Sequence, residues 1–253
     1  MRKCRIIAFA NQKGGVGKTT TAVNVAACVA ARGKKVLLCD FDPQGNATSG
    51  VGVDKNAEKT IYDVIMGANP YEALVKTEFK NLDCFPSSMA LAGAELELAD
   101  VEKRETKLKN ALDMLRSEYE YIFIDCPPSL GLLTINAFCA SDGIIVPMQC
   151  EYFALEGLTQ LMKTLSIVKQ KYNPILNLDG VVITMFDGRL NLSMQVMDEI
   201  KKFLPGKLFK TQVPRNVRLS EAPSHGLPIK YYDKHSKGAK AYEDIAKELI
   251  KRL

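Results

Sequence analysis

The sequence holds two histidines, His225 and His235, and no pair of cysteines spaced C-x-x-C. Zinc sites and histidine-based catalysis therefore lack raw material. The seven cysteines, at positions 4, 28, 39, 84, 126, 139 and 150, are odd in number and scattered. Most lie in apolar runs, where a thiol behaves as a small hydrophobe, which argues against a disulfide framework or a cysteine metal site. The longest apolar runs, such as 36–39 and 143–148, fall far short of the roughly 20 residues that span a bilayer. The amino terminus, Met1-Arg2-Lys3, enters a strand-like run at once and offers no small-residue cleavage site, so no signal peptide is read there. Low-complexity tracts, internal repeats and long Pro/Gly/Ser linkers are missing too. These absences point to a soluble, cytoplasmic chain.

What is present suits a folded α/β protein. The 253 residues are 47% hydrophobic and 25% charged, enough to bury a sizeable core. The net charge of +5 is unevenly placed. Residues 185–253 carry 14 Lys/Arg against 8 Asp/Glu, whereas residues 1–184 carry 20 against 21. A basic excess confined to the last quarter suggests an anionic partner, nucleic acid or membrane; the plain alternative is a solvated basic face.

Strand-like runs at 4–10, 35–40, 82–86, 121–125, 143–147, 179–184 and 207–212 alternate with helix-like segments at 18–32, 102–117, 155–172 and 190–203. Runs as apolar as Val36-Leu37-Leu38 and Ile122-Phe123-Ile124 suit parallel strands covered on both faces. The pattern predicts one domain over residues 1–253, an α/β fold with a doubly wound, mostly parallel twisted sheet flanked by helices. Ligands of such sheets sit at the carboxyl ends of the strands. Four of these ends carry distinctive polar residues. They are Asn11 to Thr20, Asp40-Phe41-Asp42-Pro43-Gln44, Asp125-Cys126-Pro127-Pro128 and Val213-Pro214-Arg215-Asn216.

Gly14-Gly15-Val16-Gly17-Lys18-Thr19 lies between a strand and a helix, the context of a phosphate loop, here taken as residues 11–20. The glycines let backbone N–H groups surround phosphates without side-chain clash. The following helix adds its amino-terminal N–H groups and dipole. Lys18 supplies a point charge to the β/γ-phosphates and Thr19 a hydroxyl ligand for Mg²⁺. The usual loop has glycine where this chain has Gln12, and a second lysine, Lys13, precedes the glycines.

Lys13-Gly14-Gly15-Val16-Gly17-Lys18-Thr19-Thr20 resembles the deviant Walker A motif of the ParA/MinD family of P-loop ATPases. The likeness continues through Asp40 to Asn46, Asp125 to Ser129 and Pro214 to Ser224, the last stretch being similar to the Soj-type chromosome-partitioning branch. The resemblance implies ATP and Mg²⁺ as cofactors, with Gly14, Gly15, Val16, Gly17, Lys18, Thr19 and Thr20 around the phosphates. It implies that Lys13 reaches across a homodimer interface to the partner's ATP, and that Gly14 and Gly15 permit the close approach. Asp42 would orient or deprotonate the attacking water, or else cap a helix or brace the loop. Asp125 would hold Mg²⁺ through water. Asp40 either shares the magnesium shell or serves as a structural hydrogen-bonding group. Pro214 and Asn216 resemble the adenine-contacting loop, and Asn216 also suits a helix N-cap before 217–222. Hydrolysis is implied to be slow without a partner.

For the basic quarter, Soj-like proteins imply ATP-dependent, non-specific binding of double-stranded DNA. Arg189 and Arg218 are the leading contacts, and Lys201, Lys202, Lys230, Lys234, Lys237 and Lys240 secondary ones. A ParB-like centromere-binding protein is the implied partner, and the nucleoid the implied location. The MinD-like alternative binds membrane through a carboxyl-terminal amphipathic helix. Here Tyr242, Ile245, Leu249 and Leu253 make a helical stripe, but Glu243, Asp244 and Glu248 read better in a helix packed on the sheet. No stable membrane association is expected. Nitrogenase-type iron proteins share the loop, but Cys84 and Cys126 do not resemble their cluster positions. A nucleotide-gated scaffold without useful hydrolysis is a further alternative.

Overall fold

The apolar runs become strands buried on both faces. The computed structural model describes residues 4–253. Its strands are β1 (Arg5–Phe9), β2 (Val36–Asp40), β3 (Val75–Lys76), β4 (Leu82–Phe85), β5 (Tyr121–Asp125), β6 (Gly143–Met148) and β7 (Asn177–Ile183). They form one sheet in the order β3-β4-β2-β5-β1-β6-β7. Every pairing is parallel except that of β3 with β4. The α-helices are α1 (Lys18–Ala30), α2 (Asn46–Gly50), α3 (Ile61–Ile65), α4 (Ala94–Glu97), α5 (Lys107–Leu115), α6 (Leu132–Ala140), α7 (Ala154–Lys171), α8 (Asn191–Phe203), α9 (Val217–Glu221), α10 (Ile229–Tyr232) and α11 (Lys237–Arg252).

Because side chains alternate along a strand, β1 feeds two cores. Ile6 and Ala8 pack with Leu108 and Leu112 of α5, Phe138 of α6 and Leu161 of α7. Ile7 and Phe9 pack with the alanine-rich α1 and with Tyr242, Ile245 and Leu249 of α11 on the other face. The small residues of α1 let it lie close between sheet and α11, and the buried Tyr242 hydroxyl sits 3.2 Å from Thr21 Oγ1. Most of the amphipathic stripe of α11 is thus core, although Leu253 is exposed.

Two expectations need correction. Residues 207–212 do not form a strand. They give β7 a single parallel bridge, Val181 with Leu208, and then Lys210 turns its N–H to the Glu248 carboxylate at 3.0 Å. The ladder stops because Ile183 O accepts from Val213 N, at 2.8 Å, instead of from Thr211 N, the donor a continuing parallel ladder would use. The 102–117 segment is helical only over α5, preceded by a 3-10 turn at Arg104–Thr106 and by Lys103 with a left-handed φ of 53°. The short β3 was not anticipated; two residues carry no readable alternation.

Candidate active site

The strand order makes the site. β5 lies between β2 and β1, and the register sets Asp125 beside both Asp40 and Phe9. Two acidic strand ends therefore flank the loop that leaves β1. In that loop Gly15 and Gly17 have left-handed φ values of 72° and 81°, which glycine adopts without strain. Gly14 has no such requirement, and a Cβ there would find its nearest neighbour, Pro128 Cβ, 4.0 Å away. Gly17 begins α1 and offers its N–H groups no side-chain cap.

The loop's carbonyls are held by side chains. Lys18 Nζ donates to Lys13 O at 3.1 Å, Gln149 Nε2 to Gly15 O at 2.8 Å and Thr184 Oγ1 to Val16 O at 2.7 Å. Asn11 donates to Pro147 O at 2.9 Å and accepts from Lys13 N at 3.0 Å. In a trans peptide the C=O and the next N–H point opposite ways. Fixing the carbonyls of 13, 15 and 16 therefore fixes the N–H directions of 14, 16 and 17, the donors a phosphate cradle uses. Sequence reasoning missed Gln149 and Thr184. Each is the first polar residue after an apolar parallel strand, β6 or β7, so the strand-end rule would have found them.

The carboxylates differ sharply. Asp40 is fully buried and occupied: Oδ2 accepts from Thr48 N and Thr48 Oγ1, both at 2.7 Å, and Oδ1 from Asp42 N at 3.3 Å. Burial pushes its pKa up to about 6 against those hydrogen bonds. Asp125 is equally buried, yet neither carboxylate oxygen has a hydrogen-bond partner. Burial drives its pKa well above the ordinary value, Asp40 adds to the rise, and Thr19 and Lys18 pull against it. An orphaned carboxylate beside Thr19 is the donor set a hard divalent cation takes, so the residues fit Mg²⁺. The oxygens of Asp40 are already engaged in bracing residues 42–48. Asp42 is buried, with Oδ1 accepting from Gln44 N at 3.0 Å. Lys18 is buried as well, and desolvation lowers its pKa while Asp125 raises it.

Lys13 turns the other way. Its ammonium pairs with Glu151 at the surface, each side chain nearly half exposed. Beyond the loop, a cavity of about 410 Å³ is lined by Gly17, Thr20, Met185, Pro214, Asn216 and Tyr242. Asn216 also caps α9, accepting from Arg218 N at 2.9 Å, so the capping geometry and the pocket position coexist. A larger cavity, about 650 Å³, opens at the opposite end of the sheet near Cys4, Arg5 and Asp142, away from the loop. Glu95 Oε1 accepts from Leu133 N at 3.2 Å, anchoring the start of α6 and the 126–131 segment behind Asp125.

Arg189 is almost fully exposed and pairs with Asp187 at 2.7 Å; Arg218 is half exposed and pairs with Glu221 at 2.8 Å. Arg215 lies exposed between them in sequence and close enough to Asp187 to lower its pKa, a basic residue the sequence reading passed over. Lys201, Lys202 and Lys230 are tied to Asp198, Glu199 and Glu243, while Lys234, Lys237 and Lys240 are exposed. Cys84 and Cys126 are fully buried, with burial pushing both thiols well up, so neither offers a thiolate at a surface.

The AAA domain family matches residues 4–178 of the chain. The sporulation initiation inhibitor protein Soj of Bacillus subtilis (strain 168) is 55% identical over 247 residues, covering 97% of this chain and 98% of that protein. The chromosome partitioning protein ParA of Myxococcus xanthus is 50% identical over 250 residues, covering 98% of this chain and 88% of that protein. Among solved structures, cobyrinic acid a,c-diamide synthase from Mycobacterium smegmatis, with bound ATP analog and magnesium, superposes with a TM-score of 0.88 at 37% identity. That likeness covers 98% of this chain and 94% of that one.

Proposed function

Because the chain belongs to the ParA/Soj family of chromosome-partitioning ATPases, we propose that it works as an ATP-driven partition switch. One nucleotide-binding unit comprises the whole 253-residue chain. It binds ATP with Mg²⁺, closes into a homodimer around two nucleotides, coats double-stranded DNA without sequence preference, and is released when ATP is hydrolysed. The observation that carries this reading is the contrast between the two loop lysines. Lys18 is buried within its own loop, whereas Lys13 projects to the surface, where a second protomer can receive it.

Each residue then has a part. The oriented N–H groups of residues 14–20 and the Lys18 ammonium bind the triphosphate, and Pro214 and Asn216 border the base. Thr19, and Asp125 through water, would hold Mg²⁺, which would supply charge neutralisation at the phosphoryl oxygens. Asp42 positions the attacking water from the β2 end, and Asp40 braces it through the shared 42–48 segment. Lys13 of one protomer approaches the phosphates held by its partner and stabilises the charge that develops there. Turnover is slow until a ParB-like centromere-binding protein, through a basic segment, aligns these groups. Asp42→Ala should retain ATP but lose turnover by two orders of magnitude or more, roughly the contribution of general-base catalysis; unchanged turnover would favour a non-hydrolysing scaffold.

On DNA, Arg189 and Arg218 exchange their exposed pairs with Asp187 and Glu221 for phosphates. Such surface pairs are weak, so the exchange costs little. Burial of Tyr242, Ile245 and Leu249 favours this reading over a membrane-bound one. Among the described residues no helix is long and apolar enough to cross a membrane. The protein would then reside in the cytoplasm, on the nucleoid. The test is binding to non-specific duplex with ATP, ADP or no nucleotide across a salt series, for the wild type and Arg189→Glu. ATP-only binding that falls steeply with salt and is lost in Arg189→Glu, with dimerisation intact, is the expected result. Indifference to DNA together with ATP-dependent binding to anionic liposomes would overturn it.

A further inference from the structure

The base pocket shares Gly17 and Thr20 with the phosphate loop and takes the rest of its lining from residues 184–242, and one side chain outside that lining bonds both the loop and a pocket residue. Gln149 follows β6, and its carboxamide nitrogen lies 2.8 Å from Gly15 O and 2.9 Å from Met185 Sδ. A carboxamide has two N–H donors, so one nitrogen serves both acceptors at once. The first contact sets the Gly15–Val16 peptide and with it the inward direction of the Val16 N–H. The second holds a residue that lines the base cavity and has a left-handed φ of 49°, uncommon for a side chain other than glycine. Backbone in that region persists where its surroundings hold it. The neighbouring Thr184 fixes Val16 O, so residues 149, 184 and 185 together form a clamp on the outer side of the loop.

We infer that Gln149 is a positioning residue that couples the triphosphate and base halves of the nucleotide site, so that a base seated against Met185 reinforces the orientation of the Gly15–Val16 peptide at the phosphates. This rests on the reading of the 410 Å³ cavity as the base pocket. Gln149 touches neither the reacting phosphate nor the water; it acts through Gly15 and Met185. A side chain that merely filled space would affect both ligands through stability alone. One that couples the two halves affects them through a shared contact, which a double-mutant cycle detects.

The experiment measures affinity for Mg²⁺·ATP and for Mg²⁺·tripolyphosphate, which lacks the base, in the wild type, Gln149→Leu, Met185→Leu and the double variant. Gln149→Leu keeps the side chain's size and removes its donors. It should weaken tripolyphosphate about fivefold, the worth of one hydrogen bond, and ATP by more. Met185→Leu should weaken ATP about twofold to threefold, and the double variant should bind ATP no worse than Gln149→Leu alone. Gln149→Glu is the second probe should Gln149→Leu not fold. A carboxylate cannot donate to Gly15 O and adds negative charge near the phosphates, so both ligands should weaken by more than tenfold. Tripolyphosphate affinity unchanged in either Gln149 variant, or strictly additive losses for ATP, would overturn the proposal. If instead the wild type binds ATP no more tightly than tripolyphosphate, the base-pocket reading fails and the coupling fails with it. The Gln149→Leu loss of tripolyphosphate would then remain as a separate effect on the loop.

Discussion

Replacing Asp125 by asparagine should make the nucleotide-free protein more stable while removing its response to ligand. The two buried oxygens of Asp125 lack partners, beside a second acid at Asp40. An unsatisfied buried polar group costs about 1–3 kcal/mol, more when charged. Asparagine removes the charge and its repulsion but leaves a buried amide, so the net gain is about 1–2 kcal/mol. For a chain of this length that raises the melting temperature by roughly 2–8 °C. The pH dependence identifies the cause. Because the folded-state pKa of Asp125 lies above its unfolded value, the native state binds more protons than the unfolded chain, and wild-type stability falls as pH rises above the ordinary carboxylate range. Asparagine does not titrate, so the advantage of the variant should widen from pH 5 to pH 8. Wild type should gain about 3 kcal/mol from Mg²⁺·ATP at a hundred times its Kd, and the variant much less, reversing the order of melting temperatures. Thermal denaturation with and without ligand at both pH values is the assay. A variant less stable than wild type at pH 8, or an advantage independent of pH, would refute the reasoning.

Three further outcomes follow from contacts described above. Gly14→Val should fold and bind ATP, since its Cβ meets nothing nearer than 4.0 Å, yet fail to dimerise with ATP in sedimentation. Thr184→Val removes the hydroxyl from Val16 O and should lower ATP affinity about fivefold by calorimetry, the value of one hydrogen bond. Glu95→Ala leaves Leu133 N without its acceptor at the start of α6 and should cost about 1 kcal/mol in denaturant unfolding, with Glu95→Gln recovering part of it.

The phosphate loop was legible because its chemistry needs glycines, lysine and threonine in one unbroken stretch. Asp40 and Asp125 were legible because an acid ending an apolar strand has few other reasons to be there. The resemblance gave Asp125 to the metal and left Asp40 open between a metal and a structural role; the residues alone do not decide that second point. The decision rests with Thr48, eight residues beyond Asp40, whose N–H and hydroxyl occupy one carboxylate and leave the other bare. Gln149 and Thr184 are marked as strand-end polar residues, but which distant backbone carbonyls they hold is not written in a glutamine or a threonine. Residues 207–212 read as a strand by composition, but Ile183 O takes its hydrogen bond from Val213 N, two residues beyond the parallel register, while Glu248 on α11 holds the outward Lys210 N–H; no local pattern reveals either.

That unfinished strand has a consequence for how copies of the protein behave when crowded. An open sheet has two rims, each a row of spare donors and acceptors on which a foreign strand can grow. At one rim lies β3, only two residues long and bearing the exposed Lys76. At the other, the 207–214 segment bonds with β7 and the stretch after it just often enough to occupy them, through Leu208 with Val181 and Pro214 with Phe186. It offers no continuous row of its own, since Lys210 is diverted and Pro214 has no N–H. The sheet's rims are thus closed to self-templated growth, however densely copies of the chain are gathered.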